Sequence, residues 1–210
     1  MEAGRRLGQK RLADDLARFG VGARVTPASL SGATIDLWKV ALWSCDKRDF
    51  VVQVRVGSST LAGFALHPLS TAGSWCAVSM PFLAAEAGQG TVTFSFDNVV
   101  DSACQVVRVL TSTWDGHGSA DETTFWELQD GGWRPILDVT AREATSLGGS
   151  STQTADAKVV KSSTWPRVIE VRTSSDECSG PLGEATTLAN KTCSHSDSVV
   201  RYCYGDVQGA

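Results

Sequence analysis

Residues 122–139 read Glu-Thr-Thr-Phe-Trp-Glu-Leu-Gln-Asp-Gly-Gly-Trp-Arg-Pro-Ile-Leu-Asp-Val. Segments carrying aromatic and branched residues stand on both sides of Asp130-Gly131-Gly132, whose glycines supply the positive φ angles of a tight hairpin turn. The spacing predicts two antiparallel strands, 122–128 and 133–139. Pro135 has no amide hydrogen to give to a ladder, so its strand is expected at a sheet edge or a bulge.

The same period of two continues on either side of this hairpin. Phe50, Val52, Val54 and Val56 alternate with Val51, Gln53 and Arg55. Val92, Phe94 and Phe96 alternate with Thr91, Thr93 and Ser95, and Ile169 and Val171 with Glu170 and Arg172. Successive side chains leave a strand on opposite faces, so this alternation marks half-buried strands. Further strands are expected near 34–43, 60–66, 75–80, 104–111, 152–161, 185–192 and 199–204, separated by turn residues. The polar, Gly/Ser-rich run 141–155 reads as a loop. The expected fold is all-β: a sandwich or irregular barrel of roughly ten to twelve mostly antiparallel strands, with one N-terminal α-helix.

That helix is expected over 4–20, where Leu12, Leu16 and Phe19 share one face and Gly20 stands at the C-terminal cap position. Gly/Pro breakers make 20–33 a linker, so residues 1–33 form a helix and linker and 34–210 a single β domain. A subdivision near residue 113 would leave three cysteines in each half, and full pairing would then need a bridge across it. Met80–Ala87, with Pro81 early and Gly88 after it, reads as one or two helical turns.

The six cysteines, Cys45, Cys76, Cys104, Cys178, Cys193 and Cys203, contain no C-x-x-C pair, which removes the usual support for zinc-ribbon and thioredoxin-like readings. Dispersed through strand-like sequence, they are expected to form structural disulfides in an oxidising compartment, periplasmic or secreted. Cys193 and Cys203 are one pair that could join neighbouring strands. The first twenty residues lack the apolar core of a signal peptide, so the leader is absent from this chain, and a cytoplasmic home with reduced thiols is the alternative. A net charge of −4 gives no general attraction to phosphate backbones, so no nucleic-acid partner is expected. No stretch approaches the ~18–20 apolar residues of a membrane-spanning helix.

Catalytic signatures are mostly absent: there is no G-x-S-x-G, no H-E-x-x-H and no P-loop. Ser44-Cys-Asp-Lys47 matches S-x-x-K in letters, yet it sits where a strand runs into a polar turn and not on a helix. His67 precedes Pro68 at a strand end, and His195 lies in a stretch that reads as a hairpin loop. Asp115, His117, Ser119 and Asp121 alternate in what reads as a loop, as calcium ligands do. Ala120 and Trp126 stand where an EF-hand needs Gly and Glu, so Asp115 and Asp121 are weak metal candidates and no metal or cofactor is expected. Seven tryptophans are a mild excess. Trp126 and Trp133 alternate with apolar strand residues, whereas Trp43, Trp75 and Trp114 are the candidates for exposed aromatics. With His117 they make the expected ligand-binding set. Asn190-Lys-Thr192 is a formal glycosylation sequon.

Three functions follow as expectations. The first is a non-catalytic extracellular or envelope module, binding or structural, that recognises a glycan or a protein surface. The second is a hydrolase whose site assembles around His117 or His195. The third is a self-assembling structural protein that oligomerises through its N-terminal helix.

Overall fold

A computed structural model describes residues 32–43, 45, 49–57, 59–69, 75–80, 90–115, 118–146, 149–160, 163–179 and 192–204. The expected helices at 4–20 and 80–87, a strand at 185–191, His117 and the sequon's Asn190 lie outside these residues, Met80 excepted. Among the described residues the fold is all-β with eleven strands. They are β1 (Ala33–Val40), β2 (Asp49–Val56), β3 (Ser59–Pro68), β4 (Trp75–Ser79), β5 (Gly90–Asp97), β6 (Val106–Asp115), β7 (Gly118–Gln129), β8 (Gly132–Ser146), β9 (Gly149–Val159), β10 (Val168–Ser179) and β11 (Thr192–Cys203). β1 to β4 form one antiparallel sheet in chain order, and β5 to β11 form a second, seven-stranded one.

The hairpin expected around Asp130-Gly131-Gly132 is β7–β8. Asp130 and Gly131 take φ of 50° and 78°, the doubly left-handed pair of a two-residue turn. The ladder slips between Phe125↔Leu137 and Trp126↔Pro135, which leaves Ile136 as the extra residue of a bulge beside the proline. The bulge also reverses which face the strand presents. Trp133 packs against the core between the sheets, while Leu137 and Val139 join a different cluster. A strict alternation from Trp133 to Val139 would have put all of them on one face.

Two runs that read as loops are strands. Residues 141–146 and 149–155 belong to the β8–β9 hairpin, and Trp114–Glu122 is mostly the β6–β7 hairpin. Both lie in the part of the large sheet that extends beyond the core, where Ser, Thr, Asp and Glu occupy both faces. Their backbones pair as well as any, but there is no apolar alternation to announce it.

The core has two main parts. The sheets pack face to face around Val40, Val51, Ala65 and Met80 from one side and Val92, Phe94, Val107, Val109 and Leu128 from the other. This packing is sandwich-like. Gln53 locks it by donating to the Val92 carbonyl at 2.9 Å, with a second bond to Thr60 at 2.6 Å. The second part arises because β8 and β9 pair only from Arg142↔Gln153 to Ser146↔Gly149. Below that point they separate, and Val99, Val106, Phe125, Val139, Ala157, Ile169 and Val171 fill the space between the two arms. The outer face of the small sheet is apolar too, and Val52, Val54, Ala62 and Phe64 on it are buried.

Four of the six cysteines are paired. Cys45–Cys104 ties the end of the small sheet to the loop before β6, and Cys178–Cys193 joins β10 to β11. Cys76 and Cys203 keep free thiols, so the expectation of six bridged cysteines is corrected. Cys193 and Cys203 lie on one strand and cannot bridge neighbours. Residue 113 lies within β6, which pairs with β5 and β7 on its two sides.

Candidate functional site

The first polar cluster sits where the small sheet meets its first turn. Asp49 is 1% exposed, and Oδ2 accepts from the amides of Leu42 at 2.8 Å and Trp43 at 2.6 Å. Its Oδ1 lies 2.6 Å from Nδ1 of His67, whose ring stacks on Trp43 with centroids 5.1 Å apart. Antiparallel register sets Asp49 opposite Val40, and His67 opposite Cys76, on the face that meets the other sheet. This row invites comparison with a Cys-His-Asp triad. No hydrogen bond joins Cys76 to His67 among the described residues, so the nucleophile–base contact that defines such a site is missing. Asp49 instead holds the turn after β1, which positions Trp43 over the β7–β8 turn, where the place of a Cβ on Gly131 lies 3.4 Å from its ring.

Beside Trp43 opens a cleft of about 290 Å³, lined by Leu42, Cys45, Cys104, Gln105, Glu127 and Asp130 among others. Three of its polar groups are committed to the fold. Gln105 accepts from the Ala41 amide at 3.0 Å, Asp101 accepts from the amides of Ala103 and Cys104, and Glu127 accepts from the Tyr204 hydroxyl at 2.8 Å. The cleft brings no histidine and no base–nucleophile pair together among the described residues.

The second cluster is on the outermost strands of the large sheet. His195 belongs to β11 itself and not to a loop, directly opposite Asp176 of β10. Its Nδ1 lies 2.7 Å from Asp176 and its Nε2 3.0 Å from Asp197. Asp176 first, then Asp197, raises its pKa above the ordinary histidine value by hydrogen bonding to the charged ring. Asp197 is lowered in turn by Ser174 and by His195. A general base needs a ring nitrogen free for a nucleophile, and both are taken by carboxylates on an open surface. His195 is a polar clasp between strands. Six residues back along β10 from Asp176, Glu170 binds Arg172 at 2.8 Å and Arg201 at 3.0 Å, and these two guanidinium groups hold its pKa down.

The candidate aromatics do not converge. Trp43 is half-buried and packed against the core, contrary to its expected exposure. Trp75 is 47% exposed on the outer face of the small sheet, edge-on to Phe50. Trp114 is 68% exposed on β6, on the face of the large sheet turned away from the small one. Asp115 stands opposite Gly118, and Asp121 opposite Ser112, in paired strands and not in an ion-wrapping loop. Among the described residues no group of three or more His, Cys, Asp or Glu is placed to hold a metal ion.

The most conspicuous surface is one the sequence does not announce. β11 is twelve residues long, ends the seven-stranded sheet, and is exposed at every position. Cys178 and Cys193 face each other with Cα atoms 4.1 Å apart, the narrow spacing of a pair that exchanges no backbone hydrogen bonds. The ladder runs on without a bulge, so His195, Asp197, Val199 and Arg201 repeat that geometry. Their amides and carbonyls point away from β10, into solvent. Val200 and Tyr202 stand opposite the buried Val171 and Ile169, so the second core runs out onto this edge, 45% and 44% exposed.

Comparison with known proteins finds no matching family model, no matching curated protein and no matching solved structure.

Proposed function

We propose that the chain is a non-catalytic structural or binding module of an oxidising compartment, periplasmic or extracellular, that engages a protein surface by adding a strand to β11. The observation that carries this reading is the long, unbulged edge with outward amides and carbonyls and an apolar margin of Val199, Val200 and Tyr202. An edge of that kind is a template for a further strand: the main chain supplies affinity and alternate side chains supply selectivity. The two disulfides favour the compartment, because such bridges persist where thiols are not kept reduced. A protein surface is favoured over a glycan because Trp75 and Trp114 lie on opposite sides of the molecule and Trp43 is half-buried against the core, so these three form no shared aromatic platform. Against a hydrolytic reading around His195, both ring nitrogens sit on carboxylates and, among the described residues, no hydroxyl or thiol is bonded to the ring.

The test is a screen of the full chain against glycans and against extracytoplasmic protein fractions. Binding to protein is expected, weakened at least ~10-fold by Val199→Pro and unchanged by Trp75→Ala or Trp114→Ala. Binding to a glycan that disappears in either tryptophan variant would replace this reading.

A further inference from the structure

We infer that the strand β11 accepts is β11 of a second copy of this chain, antiparallel and centred on Val199. This rests on reading β11 as the binding edge, and it names the partner.

Such a pairing sets particular residues of β11 opposite one another. Of the residues whose backbone groups point outward and so can exchange hydrogen bonds with a new strand, five are centred on Val199: His195, Asp197, Val199, Arg201 and Cys203. A two-fold axis at Val199 pairs this set with itself. Val199 meets its own copy, and Asp197 of each chain meets the partner's Arg201. The segment Asp197-Ser198-Val199-Val200-Arg201 is therefore self-complementary in charge about its centre. Opposite charges directly across a ladder favour a register, and like charges disfavour it. Moving the axis by one residue to Ser198 loses this match, because each Arg201 then faces the partner's His195, a group already biased toward its charged form.

The side chains are available for the exchange. Arg201 uses Nε and Nη2 on Glu170, which leaves the other terminal nitrogen of its guanidinium for a second carboxylate. Asp197 is 69% exposed at its side chain and is bonded by His195 on Oδ2 and by Ser174; a carboxylate has about four lone-pair sites, so a further donor can still bind. On the other face, Val200 and Tyr202 pass from an exposed margin to a position flanked by the partner's strand. An isologous contact closes on itself, so it gives a dimer and not an open fibre. The result is one continuous sheet with no free β11 edge.

The test is sedimentation velocity of the full chain over a concentration series reaching ~1 mM, with D197R and R201D made separately. Circular dichroism and an intact Cys178–Cys193 bridge check the fold of each variant. Each variant sets like charges opposite each other in the homodimer, so each alone should associate at least ~10-fold more weakly than the parent. Mixed in equal amounts, the two variants place opposite charges at both contacts, and association should return to within ~3-fold of the parent. A parent that stays monomeric throughout, or a mixture no tighter than its components, overturns the inference. If the parent is monomeric while Val199→Pro still abolishes binding to another protein, the second copy is excluded and the edge reading stands.

Discussion

Asp49 shows how a single buried carboxyl group is made tolerable and useful. It is almost fully enclosed, yet its oxygens meet two amides and an imidazole. Asp49→Ala strands those donors at about 1–3 kcal/mol each, so a loss of about 3 kcal/mol or more is expected in chemical denaturation. The stacking of Trp43 on His67 should be lost with it, read as a change in tryptophan fluorescence. His195 is the opposite case, an exposed ring between two carboxylates. Its folded pKa is raised, so its contribution is fully present below the unfolded value and is lost as pH rises through the folded one. A proton NMR titration should place His195 above an ordinary histidine, and Asp176→Asn should move it back down. Glu122 is raised as well, by burial first and then by the neighbouring Asp138 carboxylate. For an acid this means stability falls as pH rises through its folded pKa, so Glu122→Gln should raise the melting temperature at neutral pH and leave it unchanged in acid.

At the scale of elements, what the sequence reveals depends on whether a strand has an apolar face. β2, β5 and the start of β10 show clean alternation because one or both of their faces lie in a core. The β7–β8 turn is legible because Asp130-Gly131 has a backbone requirement that few other residues meet. The distal halves of β8, β9, β10 and β11 are not legible, since Ser and Thr stand on both faces and no apolar alternation marks them. For the same reason His195 reads as a loop residue, and of the edge strand only the half from residue 199 is expected from the sequence. Its only signal is the short alternation of Val200 and Tyr202 with Val199 and Arg201. Trp43 was misread as exposed because its partners, His67 and Gly131, are remote in sequence. The Cys178–Cys193 bridge closes a span of 15 residues, worth about 3 kcal/mol in a chain-entropy account. Replacing both cysteines by Ala should therefore fray the far ends of β10 and β11, seen as faster amide exchange at Ser194 and Ser196, while Ile169 and Val171 keep their protection.

For the whole molecule, the two cores divide the work. The core between the sheets and the Cys45–Cys104 bridge fix the small sheet against β5 to β7. The core between the arms fixes β9 and β10, and so holds β11 out as the last strand with nothing beyond it among the described residues. Phe125 is fully buried in that second core, and Phe125→Ala should cost about 3–5 kcal/mol. Binding through β11 should weaken with it, because the edge is only as straight as the strands behind it. The account as a whole depends on that edge being open. Amide hydrogen exchange, resolved by NMR along β11 in dilute protein, tests this most directly. Ser196, Ser198 and Val200, whose amides face β10, should exchange slowly, while Asp197, Val199 and Arg201 exchange fast and become protected at concentrations where the chain associates. Slow exchange at Asp197, Val199 and Arg201 in the dilute monomer would mean that the edge is already covered, and would contradict the account.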